Sequence, residues 1–88
     1  MKTEKLNGCP IRCYDNGGKT MDRYSVVYMD SPEDNGFMGI GMSEHPSNPQ
    51  GFGQHGTFVC GRHLGNRIAF KDLPPDCQDL VYGETALI

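Results

Sequence analysis

The sequence predicts a small α+β domain: an antiparallel sheet of about four or five strands with a short C-terminal helix. Three observations carry that prediction. Two turn-rich clusters, "YDNGGKT" and "SPEDNG", separate runs of apolar residues; β-branched and aromatic side chains crowd residues 24–28; and one helical spacing, Leu73, Cys77, Leu80 and Val81, comes late in the chain. Strands first and a helix afterwards is the order of a segregated α+β domain rather than of alternating βαβ units.

The elements follow in order. Asp15-Asn16-Gly17-Gly18 supplies the positive φ angles of a tight turn, so residues 13–20 read as a hairpin turn between a short apolar-bearing segment and a longer strand. In residues 22–30, "DRYSVVYMD", Tyr24, Val26 and Tyr28 alternate with Ser25, Val27 and Met29, and both sets are apolar apart from Ser25, which suits a strand covered on both faces. Residues 31–36 form a polar turn and residues 37–42, "FMGIGM", a strand. Gly39 and Gly41 share one face of that strand, where missing side chains permit packing beneath an aromatic ring.

Residues 43–56 hold two prolines and three glycines and read as one long loop. "TFVC" (57–60) and "RIAF" (67–70) read as short strands. The helix is predicted over "DLPPDCQDLVYG", with Asp72 as N-cap, Pro74 and Pro75 in the first turn and Gly83 as terminator.

Length and composition set the scale. With 88 residues the chain is expected to be one domain, residues 1–88. Ile, Leu, Val and Phe make up 17 of them, and the net charge is only −3, so a folded domain with a thin core is expected rather than disorder. Thin cores are commonly supplemented by a metal, a disulfide or a partner subunit, which makes a homo-oligomer the expectation. No apolar run is long enough for a secretion signal or a membrane span, so a cytoplasmic protein of a bacterial host cell is expected, with no membrane partner. In that setting the four cysteines are expected as thiols or ligands rather than as two disulfides. A pI near 5.4 with mixed charges argues against extended nucleic-acid binding.

"GFGQHG", residues 51–56, fits G-x-G-x-x-G, but a dinucleotide fingerprint joins a strand to a helix, and neither flank is present. Two readings stay open: glycine amides that present Gln54 and His55 to a ligand, or a turn packed around Phe52. Just downstream, residues 60–71 carry Arg62, Arg67 and Lys71 without an acid, and Asp72, Asp76, Asp79 and Glu84 follow. Arg62 and His63 lie between Gly61 and Gly65, so a compact loop can present a guanidinium, an imidazole and backbone amides together. The candidate ligand-binding set is Gly51, Gly53, Gln54, His55, Arg62, His63 and Arg67, for a nucleotide-like anion or a host partner protein. The plainer alternative is surface pairing of Arg62 and Arg67 with the helix acids.

Cys9-x3-Cys13 and Cys60-x2-His63 form two chelating pairs that together would make a Cys3His zinc site, giving the alternative of a zinc-stapled interaction module. Cys60 beside His55 or His63 would instead make a small hydrolase. No catalytic residue is assigned, because the sequence defines no reaction. A non-enzymatic binding protein, with no resident cofactor, is the leading expectation.

The words "YDNGGKTMDRYSVVYMD", "GMSEHPSNPQGFGQHG" and "GRHLGNRIAFKDLPPDCQ" resemble a family of small proteins found in bacteriophages, plasmids and gut-metagenome sequences. The resemblance spans roughly residues 13–78 and implies a context rather than an activity. Small proteins of mobile elements often act as anti-defence factors, gripping a host defence protein or sequestering a nucleotide signal.

Overall fold

The computed structural model describes residues 3–46, 48–51 and 53–86. Among these residues are six strands and one α-helix: β1 (Glu4–Leu6), β2 (Cys9–Asp15), β3 (Tyr24–Glu33), β4 (Gly36–Met42), β5 (Gly53–Phe58), β6 (Asn66–Ile68) and α1 (Pro75–Ala86). Every pairing is antiparallel, in the order β1-β2-β3-β4-β5. β6 returns to β2, where it pairs with Cys13–Asp15, while β1 pairs with Cys9–Ile11. Two three-residue strands therefore lie end to end along one edge of β2. The α+β class is as predicted, with the sheet one strand larger.

Alternation decides the core. Cys9, Ile11 and Cys13 of β2, Tyr24, Val26 and Tyr28 of β3, and Ile40 and Met42 of β4 point to one face, where Leu73, Cys77 and Val81 cover them. The register holds these rows together: Ile11 faces Tyr28, Cys13 faces Val26, and Val26 faces Ile40. On the other face Tyr14, Ser25 and Val27 are also buried, and the chain beyond β5 packs on this face. The Cys60 sulfur lies 3.7 Å from that of Met29, and the Arg67 guanidinium lies over the Tyr14 ring, 5.7 Å from its centroid. Tyr24–Tyr28 is thus covered on both sides, as its composition predicts.

Gly39 shows the close packing expected of it. A Cβ there would come within 2.7 Å of the Phe58 ring and 2.6 Å of the Val26 carbonyl oxygen. Gly17 and Gly18 adopt φ of 77° and 89° in the β2–β3 turn.

Several boundaries differ from expectation for physical reasons. β1 is joined to β2 by Asn7-Gly8, with φ of 52° and 80°, a two-residue turn of the kind hairpins favour. Pro32 and Glu33 belong to β3, beyond an irregularity in its pairing with β4. The predicted loop ends early: residues 53–56 form the first part of β5, ordered by pairing with β4 from Met42↔Gly53 onward. Val59 and Cys60 lie beyond that strand. Phe52 lies outside the described residues.

The helix starts at Pro75, later than predicted, and Gln78 donates its backbone N–H to the Pro74 carbonyl. Asp72 instead accepts from the Ala69 backbone N–H at a 3-10 turn over Phe70–Asp72. Gly83 does not stop the helix. Glu84 and Thr85 beyond it are both anchored, Glu84 on Tyr28 and Thr85 on the Asn7 side chain, so the last turn continues. Among the described residues no helix is long and apolar enough to cross a membrane.

Candidate functional site

A cavity of about 500 Å³ opens where the β2–β3 turn meets the start of β6, lined by Asp15, Asn16, Gly17, Lys19, Arg62, Gly65 and Asn66. The turn is tied by its own side chains. Asp15 accepts from the Gly17 N–H, Asn16 accepts from those of Gly18 and Lys19, and the Asn16 N–H reaches the Arg23 carbonyl at 2.9 Å. Such Asx contacts fix the path of the backbone and so the point from which Lys19 projects.

Arg62 arrives from far along the chain, on a 3-10 turn over Arg62–Leu64. That turn is closed by Leu64 N–H to Gly61 O (3.1 Å) and Gly65 N–H to Arg62 O (3.0 Å). Gly65 has φ of 102°, and a Cβ on it would stand 2.2 Å from the Asp15 carbonyl oxygen and 2.5 Å from the Asn16 Cα. Glycine alone permits this approach, which presses the Arg62 turn against the β2–β3 turn.

Asp15, the one acid among the described residues of the lining, is already compensated. Asp15 accepts two hydrogen bonds from Arg23, at 2.8 and 3.2 Å, and these hold its carboxyl below the usual carboxylate range. Arg23 also reaches Glu44 at 2.6 Å and lies over the Tyr24 ring. Lys19 and Arg62 are the cationic side chains of the lining, and both are exposed.

The seven residues expected to bind a ligand do not converge on one pocket. Arg62 lines the cavity just described, His63 is exposed on the same 3-10 turn, and Arg67 stacks on Tyr14 from β6. Gly53, Gln54 and His55 lie on β5, with β4, β3 and β2 between them and β6. Gly51 borders a smaller cavity of about 280 Å³ with Ser43, Glu44, His45, Asn48 and Gln50. Asp15, Asn16, Gly17, Lys19, Gly65 and Asn66 are the lining residues that sequence reasoning missed. The local turn was readable at Gly17, but its meeting with Gly65 is a long-range contact without a sequence signature.

The Cys3His arrangement is not formed. Strand alternation sends Cys9 and Cys13 into the helix-covered core, whereas Cys60 lies on the opposite face and His63 is exposed. Four residues along one strand also span about 13 Å, too far for Cys9 and Cys13 to share an ion. Burial, with a hydrogen bond to Asp30 at 3.2 Å, pushes the Cys9 thiol up to about 11. Burial and the nearby Glu4 push Cys13 up to about 12. Cys77, up at about 11 through burial and the nearby Asp76, donates to the Ser43 carbonyl at 3.1 Å. No group of three or more His, Cys, Asp or Glu able to hold a metal occurs among the described residues.

A second polar cluster was not anticipated. On the helix side Glu84 accepts a hydrogen bond from the Tyr28 hydroxyl through one carboxylate oxygen and engages His55 Nε2 through the other. His55 is thereby committed to the helix face, away from Cys60, which packs against Met29 on the far side. No protein-family model, curated protein or solved structure matches the chain at a significant level.

Proposed function

We propose that this protein is a non-enzymatic binding module for a small anion of the phosphate-bearing, nucleotide-like class, held at the β2–β3 turn by Arg62 and Lys19. One observation carries the reading. Among the described residues, two exposed cations line a cavity of about 500 Å³ whose only acid, Asp15, is already bound by Arg23. That volume falls within the range of small-molecule sites, about 300 to 1,000 Å³. Arg62 offers forked donors to phosphate oxygens, Lys19 offers a mobile point charge, and Asn66 lies within reach of further polar groups of the ligand. In the mobile-element context implied by the family resemblance, such a module acts by sequestering a nucleotide signal.

The test is calorimetric titration of the protein with pyrophosphate and with nucleoside mono- and diphosphates, at low and at raised ionic strength. Binding that weakens at least tenfold in Arg62→Ala and in Lys19→Ala, with unchanged circular dichroism, supports the site. Equal affinity in both variants, or no heat with any of these anions up to millimolar concentration, overturns it.

A further inference from the structure

The two edges of the sheet are finished differently. One edge consists of β1 and β6, two strands of only three residues each set end to end along β2. The outer edge of β5 has no strand beside it among the described residues. Sheets ordinarily blunt an open edge with lysine, proline, a bulge or a very short strand. β5 uses none of these devices. Its sequence "GQHGTF" has no proline and no Lys, Arg, Asp or Glu, and it pairs with β4 at six consecutive positions without a shift in register. Five of its six residues are exposed, so roughly 20 Å of regular backbone edge has no strand partner among the described residues.

We propose that β5 pairs antiparallel with β5 of a second copy of this chain, about a two-fold axis at Gly56, to make one continuous sheet. Symmetry restricts the register. With the axis perpendicular to the sheet, facing residues must come from the same face, so either His55 meets His55 or Gly56 meets Gly56 at the centre. The first arrangement crowds two imidazoles, each already held by Glu84, directly opposite each other and sets Val59 opposite Gly51, outside β5. The second sets Gly56 against Gly56, His55 against Thr57, Gln54 against Phe58 and Gly53 against Val59.

Side chains favour the second register and a second copy as the occupant. Val59 is 55% exposed just beyond β5, an uncovered apolar group in the single chain. Gly53 carries no side chain on the helix face, and the apolar Leu80 and Pro46 side chains stand 3.6 Å from where its Cβ would be, in ordinary van der Waals contact. Val59 of the second copy packs over Gly53 against these two apolar side chains, and the same contact repeats across the axis. Met38, 42% exposed and paired with Thr57, extends the apolar strip on this face. His55 is the sole titratable residue of the strand and is already engaged by Glu84. The seam therefore brings no uncompensated like charges together. This surface is separate from the anion-binding cavity and does not depend on it.

The experiment uses the whole chain. Sedimentation velocity is expected to give a dimer at tens of micromolar, and Val59→Lys is expected to weaken dimerisation at least tenfold with unchanged circular dichroism. A directed cross-link then tests the register. In a Cys60→Ser background, Gly56→Cys places two thiols at the axis, where opposed Cβ atoms stand about 4.5–5.5 Å apart. The added Cβ meets only the Phe58 ring, at 3.9 Å. Oxidised glutathione is expected to convert this variant to a reducible covalent dimer, but not Gln54→Cys, whose two copies lie about 13 Å apart along the seam. A wild-type monomer at several hundred micromolar overturns the proposal. A dimer that cross-links through Gln54→Cys rather than Gly56→Cys also overturns it.

Discussion

The Tyr28 hydroxyl donates a hydrogen bond to Glu84, 56 residues further along the chain, and the same carboxylate holds His55 on its other oxygen. Tyr28 is 2% exposed, and its burial, reinforced by the carboxylate, raises the phenol well above its usual range. One buried hydroxyl thereby ties the last turn of α1 to the middle of the sheet. Tyr28→Phe keeps the ring and removes the donor, so it is expected to cost about 1–2 kcal/mol in urea unfolding. Glu84→Ala leaves the hydroxyl buried without this acceptor and is expected to cost more, about 2–3 kcal/mol. Equal stability of Tyr28→Phe and wild type would show that the bond contributes nothing.

The thiols give a second prediction. Cys9, Cys13 and Cys77 are buried, with pKa values of about 11, 12 and 11, whereas Cys60 is partly exposed. At pH 8 a thiol with a pKa of about 11 is thiolate in roughly one molecule per thousand, and the thiolate is the reactive form. A thiol-disulfide reagent is therefore expected to modify one cysteine quickly in the native protein and four in denaturant. The same shifts set an alkaline limit. Their folded values lie above the unfolded value of 9.0, so the stability they contribute is complete below pH 9. It is lost as the pH rises from 9 towards 11 and 12, and the denaturation midpoint is expected to fall across that window. Replacing Cys13 with Ser should lessen the alkaline fall if the altered protein still folds.

The parts of the fold that were readable are those written locally. Gly17 and Gly18 announce their turn because positive φ is a property of the residue itself, and the double coverage of β3 follows from apolar residues on both alternations. β5 was hidden for the opposite reason. Gly53, Gln54 and Gly56 have no strand preference, and their extended form comes from the ladder with β4 and from the Phe58 ring seated on Gly39. Gly83 looks like a stop signal, yet the helix passes through it because Glu84 and Thr85 have tertiary partners. In the candidate site Arg62 was readable as a cation between glycines. Lys19 was not, because only the contact of Gly65 with Asp15 brings the two segments together.

That contact makes Gly65 the most demanding backbone position of the site. Gly65→Ala introduces a Cβ 2.2 Å from a backbone oxygen at a φ of 102°, so the 3-10 turn has to move away from the β2–β3 turn. A cost of about 2–4 kcal/mol is expected, the range for strain combined with overpacking. Anion affinity should fall more than in a variant destabilised equally elsewhere, such as Tyr28→Phe combined with a core Val81→Ala. Crystallography or amide exchange of Gly65→Ala would show displacement centred on residues 61–66. An unchanged loop with unchanged affinity would separate Gly65 from the site.

Arg23 acts on the cavity without lining it. Its two hydrogen bonds to Asp15 lower that carboxyl below its unfolded value of about 3.9, so the pair contributes stability above that pH. The contribution is lost as the pH falls through the lower folded value. In thermal melts from pH 6 down to pH 2.5, the difference between wild type and Asp15→Asn is therefore expected to shrink below about pH 4. For ligand binding the signs of the two substitutions oppose each other. Arg23→Ala leaves an uncompensated carboxylate in the lining and should weaken anion binding, whereas Asp15→Asn removes the negative charge and should strengthen it, both effects diminishing as salt is raised. If Arg23→Ala and Asp15→Asn shift anion affinity in the same direction, neutralisation of Asp15 is not what prepares the cavity for an anion.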